Sequence, residues 1–242
     1  MLLLVLRRVL ATIPVMAVVA IVVFLMLRLT PGDPAAVLAG DNATLEQIER
    51  IRTNLGLDRP IYEQFATWIL RLASGDLGTS IFTQLPVTTL IGQRVEPTLM
   101  LTLSTVTLSV LIAVPLGVLA AWKAGSWVDR LIMVVAVVTF SFPVFVLGYL
   151  LIYQFGLNLR WLPTQGYRSP FEDFWSFVQH MILPTVALSS IYIALITRIT
   201  RASVLETLSE DYIRTARAKG QTESKVLFRH ALKNAAVPIV TI

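Results

Sequence analysis

The side chains that could do chemistry in this sequence are few. Its two histidines, His180 and His230, are 50 residues apart, and neither belongs to an HExxH motif or another metal-ligand spacing. Cysteine is absent, so the sequence contains no thiolate nucleophile, disulfide or cysteine-ligated metal. No GxxxxGK phosphate-binding loop occurs, and GDLGTS at 75–80 lacks the lysine that such a loop needs. We therefore expect a chain that is not an enzyme and binds no metal or cofactor itself.

A more informative pattern is the charged segment 211–238, DYIRTARAKGQTESKVLFRHALKNAAVP, which has six Lys or Arg residues and two acidic ones. Gly220 divides it into two predicted helices. In the first, Glu210 precedes Arg214 by four residues, which is the spacing of a helical ion pair. Ile213 and Ala216 lead to Gly220 along one face and make that face small and apolar.

The second predicted helix starts after Thr222, whose hydroxyl could cap it. Its apolar residues follow helical spacing and its basic residues lie on a neighbouring face: Phe228, Ala231, Leu232 and Ala235, and Lys225, Arg229 and Lys233. A bent helix pair with a small face, an apolar face and a basic edge predicts a docking surface. The alternative is a positively charged loop that lies on anionic lipid.

A stripe of hydroxyl residues lies upstream, where Thr98, Thr102, Thr105 and Ser109 fall on one face of a predicted helix. Small hydroxyl residues often mediate helix packing in membranes. The other interpretation is that the stripe lines part of a translocation path. The pattern leaves both open.

The elements that must position these residues are membrane spans. Hydrophobic residues make up 55% of the 242, charged residues 14%, and the mean hydropathy is +0.72, far from the composition of a soluble domain. Apolar runs occur at 9–27, 98–121, 131–153 and 181–199, and another begins at 237. Prolines within these runs predict a kinked bundle, with kinks at Pro14, Pro115, Pro143 and Pro184.

Between the first two runs, residues 30–94 are polar and contain the turn signals PGDP, GLDRP and GDLGTS around a predicted amphipathic helix, TLEQIERIRTNLG. This region has five basic and seven acidic residues, whereas 198–236 has eight basic and four acidic ones. The positive-inside rule predicts that the N-terminus and 198–236 are cytoplasmic and that 30–94 is outside. The basic residues thus set topology, and nucleic-acid binding is not expected.

No Asp, Glu, Lys or Arg lies in the central part of a complete run, whereas proton-coupled carriers and voltage sensors need ionisable groups there. We therefore expect that energy for any uphill transport enters from outside the membrane segment. Two other classes stay open at this point, which are an ion-coupled carrier or channel and a membrane scaffold or sensor that transports nothing.

The charged segment resembles the EAA coupling loop of ABC-importer permeases, and DYIRTARAKG with RHALKNA resembles the version in the dipeptide, oligopeptide and nickel permease family. PGDPA, GLDRP, GDLGTS, RVEPTLMLTL and FSFPVFVLGYLL resemble the same family. The chain has Arg214 and Thr215 where the general EAA pattern has Glu and Ala, and Lys233 where a proline is expected.

The resemblance implies an all-α polytopic bundle of the type I, MetI-like kind. Its parts would be an N-terminal transmembrane helix in 1–29, a small extracytoplasmic domain at 30–94 and a permease core at 95–242 with a coupling loop at 200–236. The implied coupling residues are Asp211, Tyr212, Arg214, Thr215, Ala216, Arg217, Ala218, Lys219, Gly220 and His230.

The resemblance also implies the partners of such a permease. They are a second homologous permease subunit, two cytoplasmic ATPase subunits that use ATP and Mg, and an extracytoplasmic solute-binding protein, all around a subunit in the bacterial inner membrane. The expected substrates are short peptides, with nickel, glutathione and oligosaccharides as alternatives. Related permeases have six spans, so a chain that ends at Ile242 is expected to be a fragment or a shorter subunit.

Overall fold

The computed structural model of the protein describes residues 2–29, 32–40, 43–80 and 82–241. Within these ranges the chain is helical, with two π-helical segments and one isolated β-bridge between Thr79 and Pro86. The α-helices are α1 (Leu2–Leu29), α2 (Pro34–Ala39), α3 (Leu45–Asn54), α4 (Ile61–Ala73), α5 (Val87–Trp122), α6 (Trp127–Ser141), α7 (Val144–Leu151), α8 (Phe174–Leu208), α9 (Asp211–Ala218), α10 (Glu223–Lys225) and α11 (Leu232–Val240). The all-α prediction is confirmed.

Two compact units make up the chain, Met1–Gly92 and Gln93–Ile242. The first unit contains both the predicted N-terminal helix and most of the polar region 30–94. The predicted boundary after residue 94 falls inside a helix, because α5 already begins at Val87. Pro31, the first residue of the predicted PGDP turn, lies outside the described residues, as does Ile242.

Three of the described helices, α1, α5 and α8, are long and apolar enough to cross a membrane. The predicted kink at Pro143 is a break, since α6 and α7 with its π-helical extension Ile152–Asn158 meet at 93°. Proline disfavours helical backbone in the residue before it, and Phe142 is extended with φ −81° and ψ 126°. The helices α1, α5 and α8 continue through Pro14, Pro115 and Pro184.

Short polar helices follow α1 in the first unit, and local capping defines their starts. The Asp33 side chain accepts the Ala35 N–H at the start of α2, and Thr44 with Gln47 forms a capping box on α3. Arg52 ties the two helices together through its 2.6 Å ion pair with Asp33. The hydrogen bond from Arg52 lowers the pKa of the Asp33 carboxyl below its ordinary value.

In the second unit, α9 and the helix that follows it form the charged helix pair, residues 211–240. A left-handed Gly220, with φ +75°, ends α9 in a Schellman motif, in which Gly220 N–H donates to the Arg217 carbonyl and Gln221 N–H to that of Ala216. The second helix runs through α10, a π-helical segment Val226–Ala231 and α11. The predicted bend at Gly220 is confirmed.

The structure corrects two boundaries around this pair. Residues 200–208 of the predicted coupling loop still belong to α8, which ends at Leu208. The predicted start of a fifth span at 237 does not coincide with a helix start either. Instead α11 begins at Leu232 and runs through Pro238, so the charged helix and the apolar run after it are one continuous element.

Candidate functional site

The charged helix pair packs its apolar face against the rest of its own unit. Ile213 and Ala216 of α9 and the side chains of the second helix are buried in one cluster with residues of α5 and α8. The buried members of this cluster are Val118, Ala121, Val204, Ile213, Ala216, Val226, Leu227, Ala231 and Ala235. The small face of α9 therefore docks on the same chain, because Val118 and Ala121 of α5 and Val204 of α8 belong to the same buried cluster.

The π-helical segment decides which residues of the second helix enter this cluster. Val226 and Leu227 are buried, whereas Phe228 is 59% exposed. The predicted apolar face, which began at Phe228, was wrong at that residue but right for Ala231 and Ala235. A π-helical turn has more residues than an α-turn, so a pattern counted with α-helical spacing loses its register there.

The remaining surface of the pair faces solvent. Of the ten residues implied as the coupling site, Ala216 is buried, His230 is half-buried, and the others are exposed: Asp211, Tyr212, Arg214, Thr215, Arg217, Ala218, Lys219 and Gly220. Lys225, Arg229 and Lys233 are exposed as well, beside Phe228. The exposed surface is thus a glycine tip with basic flanks and two accessible aromatic rings, those of Tyr212 and Phe228.

Polar contacts brace the two helices of the pair against each other. Asn234 Nδ2 donates to Tyr212 Oη at 2.8 Å, and Arg217 donates to both carboxylate oxygens of Glu223 at 2.8 and 3.2 Å. Neither contact was predicted from the sequence, because one joins residues 22 apart and the other crosses the turn. These contacts join the two helices of the pair on the side away from the buried cluster.

Two local predictions for the pair were wrong. Arg214 pairs with Asp211 at 3.5 Å, since Glu210 lies before the first turn of α9 as its N-cap residue. Thr222 occupies the N-cap position of the second helix, but its side chain makes no capping hydrogen bond. Both side chains of the Arg214–Asp211 pair are largely exposed, so this contact stabilises the helix little.

A buried ion pair lies where α6 starts beside α8. Arg201 Nε donates to Asp129 Oδ1 at 2.5 Å, and its Nη2 donates to Oδ2 at 2.7 Å. The Gly125 N–H donates to the same carboxylate at 2.9 Å, and the Asp129 side chain is only 5% exposed. This pair was not predicted from the sequence. One signal could have found it, since Asp129 is the only acidic residue between Glu96 and Glu172.

The hydroxyl stripe on α5 splits into two halves. Thr98 and Thr102 are exposed, and their hydroxyls donate to the carbonyls of Arg94 and Thr98, at 2.7 and 2.8 Å. Thr105 and Ser109 are buried, with no hydrogen-bond partner for either hydroxyl among the described residues. The structure thus favours a packing role for Thr105 and Ser109. A translocation-path role for the four stays a prediction.

The buried half of the stripe belongs to a close helix crossing. Ser189 Oγ on α8 donates to the Thr105 carbonyl at 3.3 Å, and Thr197 Oγ1 donates to that of Ala113 at 3.4 Å. A Cβ on Gly117 would lie 2.5 Å from Thr200 Cβ, so the two backbones are closer than any larger residue permits. We call this crossing of small and hydroxyl residues the α5–α8 seam; such crossings let membrane helices approach closely.

At the other end of this unit a polar contact closes the loop before α8. Tyr167 Oη donates to Glu96 Oε1 at 2.9 Å, and the Tyr167 ring meets Phe177 edge to face. Burial of the phenol, followed by its bond to Glu96, raises the pKa of Tyr167 to about 12. The phenol is therefore a permanent donor at neutral pH.

Comparison with known proteins identifies the unit that carries the charged helix pair. Residues 113–242 match the family model of the binding-protein-dependent transport system inner membrane component, and residues 1–102 match its N-terminal domain. The chain belongs to this family. Its fold is therefore that of a MetI-like permease of an ABC importer, a multi-pass protein of the inner membrane.

Two curated relatives of this permease cover 98% of the chain. A protein of Sinorhizobium fredii named "Probable peptide ABC transporter permease protein y4tP" is 52% identical, and the match covers 76% of it. The glutathione transport system permease protein GsiC of Escherichia coli K12 is 44% identical, with 75% of it covered. Both names are those of transport permeases.

The described residues of the permease contain no group of three or more His, Cys, Asp or Glu residues placed to hold a metal ion. The buried cluster joins the charged helix pair to α5 and α8, and the Asp129–Arg201 ion pair joins α8 to α6.

Proposed function

We propose that this permease subunit translocates short peptides across the cytoplasmic membrane and that the charged helix pair is the surface on which a cytoplasmic ATPase subunit acts. The observation that carries the proposal is the division of the pair into a face buried on α5 and α8 and an exposed, basic tip centred on Gly220. Such an element can receive a push on one side and transmit it to membrane helices on the other.

The mechanism needs the pair to move as one body. Burial of Ile213 and Val226 against α5 and α8, with the Tyr212–Asn234 and Arg217–Glu223 contacts, supports this. Closure of the ATPase subunits on ATP would displace the pair and shift α5 and α8 with it. Alternating access would follow from movement of these helices around the seam.

The partners follow from the family and belong to the same proposal. They are a second homologous permease subunit, two ATP-binding subunits that use ATP and Mg, and an extracytoplasmic solute-binding protein. The N-terminus and the charged helix pair would face the cytoplasm, and the polar part of the first unit would lie outside, as the distribution of basic residues indicates.

The substrate class is proposed from the relatives. One is named for peptide transport and another for glutathione transport, so short peptides are the first candidate and glutathione the second. A direct test is uptake of a radiolabelled dipeptide by proteoliposomes that contain the complete importer and ATP, with unlabelled glutathione as competitor. Uptake that proceeds without the ATPase subunits would instead indicate an ion-coupled carrier or channel.

The coupling role is tested at the tip with two variants of one residue. Gly220 has a left-handed backbone and open space around its Cα, and both Asn and Asp tolerate this conformation better than other residues. Gly220→Asn thus serves as the matched control for Gly220→Asp, which differs from it in charge. We expect the Asp variant to lose co-purification of the ATPase and ATP-driven uptake, while the Asn variant keeps most of both.

The measurement is the ratio of ATPase to permease after affinity purification from membranes, at equal permease abundance. A normal ratio for Gly220→Asp would contradict the coupling role. Equal loss in both variants would show that the tip acts through its backbone shape and not through its charge.

A further inference from the structure

A polar pocket in the first unit is not used by the proposed coupling mechanism. It lies between the end of α3 and α4, has a volume of about 220 Å³, and its lining contains Asn54, Arg59, Gln64, Thr67, Trp68 and Arg71. Two of these residues are cationic and none of the lining residues is acidic. The pocket therefore has several hydrogen-bond donors in its lining, and the positive charge of its two arginines is not balanced by an acidic lining residue.

Its two arginines differ from their neighbours in having no ion-pair partner among the described residues. Arg50 pairs with Glu46 at 2.7 Å, and Arg52 pairs with both Asp33 and Glu49. Arg59 and Arg71 have no such contact. The Arg59 side chain instead folds back over Gly56. Its Cδ and Nε atoms lie 3.8 Å from the position that a Cβ on this glycine would occupy.

One hydrogen-bond acceptor in the same lining is also unsatisfied. Gln64 Nε2 donates to the carbonyls of Leu57 and Arg59, at 3.2 and 2.7 Å, which holds the turn before α4. Gln64 Oε1 is buried and has no hydrogen-bond partner in the described part of the chain. Because water does not reach Oε1, it is not available to a ligand either, and a molecule that fits this pocket is selected by the anion that it presents to the two arginines.

Ring contacts place the pocket beside the end of a membrane-crossing helix. Trp68 lines the pocket and packs on Phe24 of α1, with ring centroids 5.7 Å apart, and Phe65 packs on the same ring at 5.2 Å. Phe24 lies near the end of the apolar window Leu3–Met26. The pocket therefore lies beside the end of the apolar window of α1, and the end of a membrane-crossing helix is where lipid headgroups are expected.

The helix that forms one wall has the character of an interfacial helix. Tyr62 and Leu70 of α4 are about 70% exposed, whereas Phe65 and Trp68 of the same helix pack on α1. Exposed apolar residues beside a cationic residue such as Arg71 are typical of helices that lie in the membrane surface. A neighbouring lipid would have its headgroup at the mouth of the pocket.

We propose that this pocket binds the headgroup of a membrane phospholipid. Arg59 and Arg71 hold the phosphate, for which guanidinium groups are well suited. The site fixes the first unit at the membrane surface and is independent of the ATPase surface on the second unit.

The test is native mass spectrometry of the purified full chain titrated with palmitoyl-oleoyl phosphatidylglycerol, which is anionic, and, separately, with the matching phosphatidylcholine, whose headgroup is zwitterionic. We expect tighter binding of phosphatidylglycerol. The double variant Arg59→Gln, Arg71→Gln should weaken its binding about thirtyfold, at about fivefold for each arginine. Arg50→Gln, which removes a paired arginine of the same unit, should leave the affinity unchanged.

Folding of the double variant is checked by circular dichroism, and no loss is expected because neither side chain makes an ion pair. Unchanged phosphatidylglycerol affinity in the double variant would overturn the proposal, and so would an equal loss in Arg50→Gln. Arginine-dependent binding of a polyglutamate peptide with no effect on lipid affinity would do the same, since the pocket would then be a protein-docking site.

Discussion

Removal of either partner of the Asp129–Arg201 pair should destabilise the second unit strongly. The carboxylate is 5% exposed, the guanidinium side chain 29%, and the two hydrogen bonds are 2.5 and 2.7 Å long. Breaking a buried ion pair costs about 3–5 kcal/mol because the remaining charge is left without a partner. Since Arg201 keeps partial access to water, we expect the lower end, about 3 kcal/mol, for Asp129→Asn or Arg201→Gln.

This loss is measurable as a change in thermal stability. For a protein of this size, about 3 kcal/mol corresponds to a fall in Tm of roughly 6–12 °C. The assay is tryptophan fluorescence of the purified protein during heating, in one detergent for all variants. Arg214→Gln is the control, because its pair with Asp211 is exposed, and its Tm should fall by no more than about 2 °C.

The double variant Asp129→Asn, Arg201→Gln separates the interaction from the individual side chains. If the two groups stabilise the protein through each other, its loss should be about 2 kcal/mol smaller than the sum of the single losses. Strictly additive losses would refute the reasoning. The same variants should also lower ATP-driven uptake at permissive temperature, since they remove the contact that joins α6 to α8.

Three further outcomes are expected. Gly117→Ala should destabilise the α5–α8 seam by about 1–3 kcal/mol through overpacking, seen as a lower Tm, whereas Gly92→Ala on the same helix has open space and should be neutral or slightly stabilising. The pKa of the Asp33 carboxyl is lowered in the folded chain, so the carboxylate stabilises the fold above its ordinary pKa of 3.8. This stabilisation is lost as the pH falls below that value, and Asp33→Asn should therefore reduce the fall in Tm at acidic pH. Phe228→Ala should weaken ATPase co-purification with little change in Tm, whereas Val226→Ala should lower Tm, because only Val226 is buried.

Much of the fold was predictable because its signals are local. The apolar runs of α1, α5 and α8 are long enough to be read directly as membrane helices. Gly220 in a basic segment predicts a helix end, because glycine adopts the left-handed backbone of a Schellman motif without strain. The helix in TLEQIERIRTNLG follows from its spacing and from the Thr44 cap.

The faces of the charged helix pair were less predictable, because periodicity identifies an apolar face without identifying what covers it. Ile213 and Ala216 form a small face, and the same spacing is compatible with a partner protein or with the chain's own helices. At Phe228 even the face was misread, since the π-helical segment shifts the register between residues 226 and 231.

The sequence by itself determined the membrane class, the helical architecture and the position of the basic tip at Gly220, because composition, spacing and turn residues act over a few positions of the chain. Only the tertiary structure decided that Asp129 meets Arg201 and that Ser109 is buried in the α5–α8 seam while Thr98 is exposed. These outcomes depend on contacts between residues far apart in sequence. The pattern of residues along one helix does not indicate which neighbouring helix covers each of its faces.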